Sequence, residues 1–332
     1  MRKPDFNNLL KVLHREVPDR PVIFEFFLNF SLNERLTGQK GDTPQAQVDA
    51  FAAAGYDHCF FWGNGFSFPQ PKRHSEKSYS ANEMSMISSW EDFEKYPWPD
   101  VNAADYSLLD TVKIPSGMKV VVCGPCGVQE NLISLMGYDT LCMALFDQPD
   151  LVRAMTDRIG ATLVRHYERC LESDNVGAAI SNDDWGFQQQ PLLSPSDVRE
   201  YILPWHTKIV KTIHDAGRPA IMHSCGNVYD CGLIEDVIEV CKFDARHSYE
   251  DKILPVEEAY ERYHQRIAIL GGIDVDFLCR KTPEEIYRRS KEMLERTAKR
   301  GGYALGSGNS IADYVPAENY FAMISAATGM KY

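Results

Sequence analysis

The sequence predicts a (β/α)8 barrel, built as a single domain over residues 1–332. Three observations carry that prediction. Short β-branched or aromatic runs alternate with long amphipathic stretches, which implies parallel strands joined by helices. There are eight such runs, a number that favours a closed barrel over an open doubly wound sheet. The longer helical stretches also carry their own start and stop signals.

In order, the strand candidates are PVIFEFF from Pro21, DHCFFWG from Asp57, KVVVCGP from Lys119 and VGAAISNDD from Val176, then PAIMHSCG from Pro219, FDARHSY from Phe243, IAILGGID from Ile267 and GYALGSGNS from Gly302. Among the helices between them, one opens at Ser194 with Asp197 three positions on. Another opens at Thr282 with Glu285 three positions on. A hydroxyl followed by such an acid can satisfy the free amides of a first helical turn, and a glycine near each end suits a left-handed cap. From Glu130 to Ser173 there is room for two helices, split near Asp147-Gln148-Pro149. The long aromatic, Pro-rich segment from Gly63 to Trp90 and beyond, after strand 2, would lie over a barrel's catalytic face as a lid-like insertion.

Composition narrows the function. The net charge is −12 and no basic stripe is present, which argues against a nucleic-acid surface. No apolar run approaches the ~20 residues of a membrane span. The amphipathic N-terminus lacks the apolar centre of a signal peptide. Nine scattered cysteines fit a reducing cytoplasm better than a disulfide framework. A small-molecule enzyme, or a chain that docks to a protein partner, agrees with all of this, and a homodimer is left open.

Barrel chemistry gathers where strands end. Those ends offer Glu25 on the first strand, Trp62 and Asn64 on the second, Cys123 on the third, and Asn182, Asp183 and Asp184 on the fourth. His223 and Cys225 follow on the fifth, His247 on the sixth, Asp274 on the seventh, and Ser307 and Asn309 on the eighth. His223-Ser-Cys225 is the sharpest signal. Residues i and i+2 of a strand point the same way, so imidazole and thiol can share one ion, and Zn2+ accepts such mixed ligands. A buried cysteine beside a hydrogen-bonded histidine is the competing reading, because two ligands do not complete a site. Cys123-Gly-Pro-Cys126 has the form of a redox dithiol, but a tight turn after a strand accounts for it as well. Asp183 and Asp184 must point to opposite faces, so at most one looks toward the axis. Asp57, Glu250 and Asp251 read as solvated loop charges.

Several stretches together resemble the uroporphyrinogen decarboxylase superfamily. They are HSCG (His223 to Gly226), LGGID (Leu270 to Asp274), TPEEI (Thr282 to Ile286), GGYALGSGNSI (Gly301 to Ile311) and VPAEN (Val315 to Asn319), preceded by WEDFEKYPWPD (Trp90 to Asp100), MGYDTL (Met136 to Leu141) and FDQPDLVRAM (Phe146 to Met155). The resemblance implies a barrel and offers two chemistries. Decarboxylases of this kind carry several arginines after the first strand, and here FEFFLNFSLNERLTG contains only Arg35. A substrate with eight carboxylates needs more cationic forks than that.

The other branch comprises cobalamin (corrinoid)-dependent methyltransferases. Resemblance to it implies transfer of a methyl group from a small methylated donor, such as an aryl methyl ether, to cobalt(I), with zinc assistance. Thiol-acting members pair H-x-C with a third cysteine near strand eight, where this chain has Asn309. Glu25, Asp183 or Cys123 would then complete the metal site, or the metal is absent. The chain has no D-x-H-x-x-G corrinoid signature, so the resemblance places the corrinoid on a separate corrinoid-binding protein that docks over the barrel mouth. On this reading His223, Cys225 and Asp183 hold zinc. Asp184, His247 and Asn309 are catalytic, and Glu25, Trp62, Asn64 and Asn182 contact substrate. A decarboxylase acting on a smaller substrate is the alternative enzyme, and a scaffold that lost its metal is the alternative outside catalysis.

Overall fold

The structure is a computed structural model that describes residues 2–39, 43–62, 65–70 and 85–331. Seven strands form one curled parallel sheet in chain order: β1 (His58–Phe61), β2 (Lys119–Cys123), β3 (Val176–Asn182), β4 (Ala220–His223), β5 (Ala245–His247), β6 (Ala268–Leu270) and β7 (Tyr303–Ala304). Each lies inside one of the predicted runs from the second to the eighth. Their sequences are apolar almost throughout and nearly every residue is buried, as expected when helices or packed side chains cover both faces of a parallel sheet.

The first predicted strand is the departure. It makes isolated parallel bridges, Ile23 with Leu305 and Leu28 with Ile311. Phe24 N donates to Leu305 O at 2.8 Å and Leu305 N to Val22 O at 2.9 Å, so the segment runs beside β7. Toward β1, the Glu25 carbonyl lies 3.3 Å from His58 Nε2, a side chain in a place where a ladder would use an amide. The eight-stranded ladder expected from the sequence is thus a seven-stranded sheet with a bridged segment at its edge.

Both anticipated helix starts form. Asp197 N donates to Ser194 Oγ at 3.1 Å, and Thr282 and Glu285 make a reciprocal capping box. The helical stretch after Ser194 is not uniform, because a π turn over Val198–Ile202 precedes Leu203–Asp215. Pro204 sits at that junction and has no amide to continue the α ladder, which a π turn accommodates. Between β2 and β3 the two expected helices are three: Val128–Met136, Tyr138–Asp147 and Pro149–Leu171. The break at Pro149 falls as expected. The additional one is at Gly137, whose φ of 76° stops a right-handed helix.

The expected lid falls largely on residues 63–64 and 71–84, which lie outside the described residues. Its described flanks pack on the helices after β2, with Met86 N donating to Leu135 O at 2.8 Å and the Phe66 ring 5.2 Å from that of His166. Asp57 is not a solvated charge. It is fully buried before β1, where Arg20 (2.6 Å), Arg2 (3.4 Å) and the Asp5 amide (2.8 Å) converge on its carboxylate. Among the described residues no helix is long and apolar enough to cross a membrane.

Candidate functional site

The ends of β3, β4 and β5 are in register, with Asn182 beside His223 and His223 beside His247. Register partners in a parallel sheet project from the same face, so these three side chains form a row. Alternation sends Ser181 and Asp183 to the opposite face, where both grip His206. Ser181 Oγ is 3.0 Å from His206 Nδ1, and Asp183 Oδ2 is 2.8 Å from His206 Nε2. The Asp183 carboxylate also accepts from Gln129 N (3.0 Å) and Glu130 N (2.9 Å), capping the helix Val128–Met136. The expectation that Asp183 is a metal ligand is therefore corrected, because its oxygens are engaged on the helix side of the sheet.

The next residue turns back to the mouth. Asp184, His223 and Cys225 each offer a ligand atom, and these atoms lie within 4.8 Å of one another. Asp184 Oδ1 accepts from Cys225 N at 2.8 Å, tying the two loops together. His223 Nδ1 is 2.8 Å from His247 Nδ1. Only one of two neutral imidazoles can donate in that contact. If His223 donates, its Nε2 is left with a free lone pair, the state a metal-binding histidine needs. Burial, then the nearby Arg246 charge, pushes the His223 pKa down to about 3, so the ring is neutral. Burial and then Asp184 push the Cys225 thiol up to about 12. Asn309 donates from Nδ2 to Cys225 Sγ at 3.1 Å. Phe26 stacks on His223 with ring centres 4.3 Å apart, and the half-exposed Trp62 packs edge-on against Phe26 at 5.9 Å. Beside Asn309 opens a cleft of about 600 Å³, bordered by Tyr249, Asp274, Phe277 and Tyr314.

Other expected residues fall elsewhere. Asn64 is outside the described residues. Glu25, expected to bind substrate, is fully buried, with Oε1 accepting from Ser307 N at 2.6 Å and Oε2 from Ser307 Oγ at 2.7 Å. Burial raises its pKa to about 8. His247, expected to be catalytic, is fully buried and meets the site through His223. In this structure both side chains are held by protein partners, Glu25 by Ser307 and His247 by His223. Cys123 is buried and lies outside the ligand group. The Cys-Gly-Pro-Cys segment leaves β2 in a bend, with Cys126 at a φ of 63°. A side chain at Gly127 would come within 2.3 Å of Asn182 O and Asp183 Cβ.

Sequence reasoning missed Glu130. Its Oε2 accepts from Gly127 N at 3.0 Å and from Asn182 Nδ2 at 3.4 Å. Burial, then the Asp183 and Asp184 charges, raises its pKa to about 8. The available signal was an acid at the third position of the helix that follows the Cys-Gly-Pro-Cys turn.

The comparisons with known proteins bear on the fold and the family. The Methylated-thiol--coenzyme M methyltransferase of Methanosarcina mazei is 28% identical over 136 residues, which cover 41% of this chain and 34% of that protein. The solved structure of a methyltransferase from Methanosarcina mazei superposes with a TM-score of 0.70 at 16% identity over 97% of each chain, which shows the shared fold. The Uroporphyrinogen decarboxylase of Geobacter sulfurreducens is 23% identical over 249 residues, covering 72% of this chain and 69% of the relative. The family model for Uroporphyrinogen decarboxylase (URO-D) matches residues 77–330, from before β2 through the last helix. Both the strand-end motifs and this match lead to one assignment: the chain belongs to the uroporphyrinogen decarboxylase family.

Proposed function

We propose that this chain is a methyltransferase that moves a methyl group from a small methylated donor, such as an aryl methyl ether, to a cobalt(I) corrinoid held by a separate protein. The observation that carries this reading is the convergence of His223, Cys225 and Asp184 at the strand ends, beside an aromatic wall. The expected arginine cluster is missing from the loop after the first strand. Arg35, the one arginine there, lies over the ring of Phe321. The family relationship and the methyltransferase relative support the reading, while relatives named as decarboxylases make carbon dioxide release the activity to test against it.

The donor set fits zinc, since nitrogen, sulfur and oxygen ligands within reach of one ion suit a tetrahedral site with one position left for substrate. When bound, zinc would supply Lewis acidity to the heteroatom that loses its methyl group. His247 would hold His223 in the tautomer that frees Nε2, and Asn309 would hold the Cys225 sulfur in place. Phe26 and Trp62 would exclude water from the methyl carbon. With cobalt(I) as a strong nucleophile on the partner, this chain's task is to align the donor and support its leaving atom. The partner would approach the same face, where Trp62, Phe187 and Tyr314 are exposed.

The test is spectroscopic. Mixed with a reduced corrinoid protein and a panel of methyl ethers and methylamines, the chain should convert cobalt(I) to methyl-cobalt(III). His223→Ala should slow conversion at least ~100-fold with the fold intact, since losing a ligand should cost no less than losing an outer-shell partner. Protein purified without chelator should hold about one zinc, and less than about a tenth of an equivalent would refute the zinc assignment. Failure with every donor, alongside carbon dioxide release from a porphyrinogen, would overturn methyl transfer.

A further inference from the structure

The mouth contains a polar atom that zinc binding does not explain. Asn182 is 6% exposed, and its Oδ1 has no hydrogen-bond partner among the described residues. Leaving such an acceptor buried and unpaired costs about 1–3 kcal/mol, so native structures normally supply a partner. The direction of the amide follows from its other contact. Nδ2 donates to Glu130 Oε2 at 3.4 Å; because Oε2 already accepts from Gly127 N, a proton held by Glu130 sits on Oε1, and the flipped amide would set one acceptor oxygen against another. Glu130 therefore holds Oδ1 turned away from itself. Asn182 is also the register partner of His223, on the face that carries the ligand row. Neighbouring strands are about 4.8 Å apart, so a group reaching Oδ1 lies within a few bonds of an atom placed at the His223 ligand centre.

We infer that Asn182 Oδ1 accepts a hydrogen bond from the bound methyl donor, and that the enzyme selects donors bearing an O–H or N–H close to the methylated heteroatom. This rests on the methyl-transfer reading and narrows it. An ether with an adjacent hydroxyl satisfies the buried acceptor. The same ether with the hydroxyl methylated leaves it unpaired and adds a methyl group where a hydrogen should be. Sites built around a polar partner reject analogues lacking that partner far more strongly than apolar pockets reject a change of one methylene. Glu130 acts here as a positioning residue, since it touches the amide and not the substrate.

Two probes separate the cases, 2-methoxyphenol and 1,2-dimethoxybenzene, with binding to the full-length chain measured by calorimetry without any corrinoid protein. Wild type should prefer 2-methoxyphenol by ~10-fold or more. Asn182→Leu, similar in volume but without an acceptor, should bring the two affinities to within about twofold, mainly by weakening 2-methoxyphenol. Asn182→Asp keeps an acceptor oxygen and should keep the preference, which guards against a result caused by misfolding of the leucine variant. Equal binding of both probes by wild type, binding of neither, or an undiminished preference in Asn182→Leu would overturn the inference, and an ordered water would then be the partner of Oδ1. Because this assay contains no cobalt, selective binding without turnover would sink methyl transfer alone. Turnover without selectivity would sink only the role of Asn182.

Discussion

At the N-terminal end of β1, Asp57 is buried among partners that answer it, two arginines and a backbone amide. At the C-terminal ends of β3 to β5 the buried polar groups are answered only in part. Asn182 Oδ1 has no partner among the described residues, and the His223 ring bonds its neighbour through Nδ1. Glu25 and Glu130, near that same end, have carboxyls raised to about 8. Burial is similar at the two ends, so burial alone does not mark a functional residue. Single unpaired atoms do not mark one either, since Arg20 Nε and His58 Nδ1 lack a partner among the described residues at the β1 end as Asn182 Oδ1 does at the other. What sets the C-terminal ends apart is the group of ligand atoms on Asp184, His223 and Cys225 within 4.8 Å of one another. Barrel enzymes separate these tasks by face, with stability at one end of the strands and chemistry at the other.

The largest expected effect is at the satisfied end. Asp57→Ala leaves Arg2 and Arg20 facing a cavity, and breaking a buried pair in this way costs about 3–5 kcal/mol. Denaturant unfolding should show a loss of that size, while zinc content per folded molecule stays at the wild-type level. A stable Asp57→Ala variant that had lost zinc would mean that the two ends are coupled.

A finer test uses two neighbours in the sequence. Asp183 belongs by its contacts to the satisfied class although it sits at the mouth end, and Asp184 belongs to the site. Asp183→Ala removes two helix-capping bonds and one of the two partners of His206, for an expected loss of about 2 kcal/mol. Asp184→Ala removes the acceptor of the Cys225 amide, for an expected loss of about 1 kcal/mol, and should abolish tight zinc binding. If the two variants lose stability and metal to the same extent, the division between helix face and mouth face is wrong.

Much of this was legible in the sequence, for identifiable reasons. Seven strands were readable because parallel strands buried on both faces are written as short apolar runs. His223 and Cys225 were readable because a strand's period of two puts them on one side. The same rule required Asp183 and Asp184 to diverge, but it could not say which one faced the axis. That depended on His206, which comes from a helix more than twenty residues later. The first strand failed as a ladder because its neighbour β1 meets it through the His58 side chain, a tertiary contact with no local signature. Asp57 looked solvated because the arginines that bury it come from the chain's first twenty residues. Glu130 was passed over because an acid in a first helical turn is ordinary, and only the fold brings Asn182 and Asp184 to it.

The effect at Glu130 is a dependence on pH, and its sign can be worked out. Burial, followed by the charges of Asp183 and Asp184, raises its pKa from 4.5 to about 8 in the folded chain. The folded protein therefore holds this proton more tightly than the unfolded chain does. Below pH 4.5 both states are protonated and the neutral carboxyl contributes its full stability. Between 4.5 and about 8 the unfolded chain ionises first, so stability falls as the pH rises, and above that range both are ionised and the loss is complete. Glu25 is raised to about the same value and adds a parallel slope, so the wild-type profile alone cannot isolate Glu130. The difference between wild type and Glu130→Gln can. Glutamine keeps an oxygen for the Gly127 amide and cannot ionise, so the variant should gain on wild type steadily across that pH range and stay level with it at more acidic pH. Urea midpoints measured at half-unit steps give this difference curve directly. A flat curve would show that water in the mouth already solvates the Glu130 carboxylate, which would move that residue from the buried framework to the open part of the site.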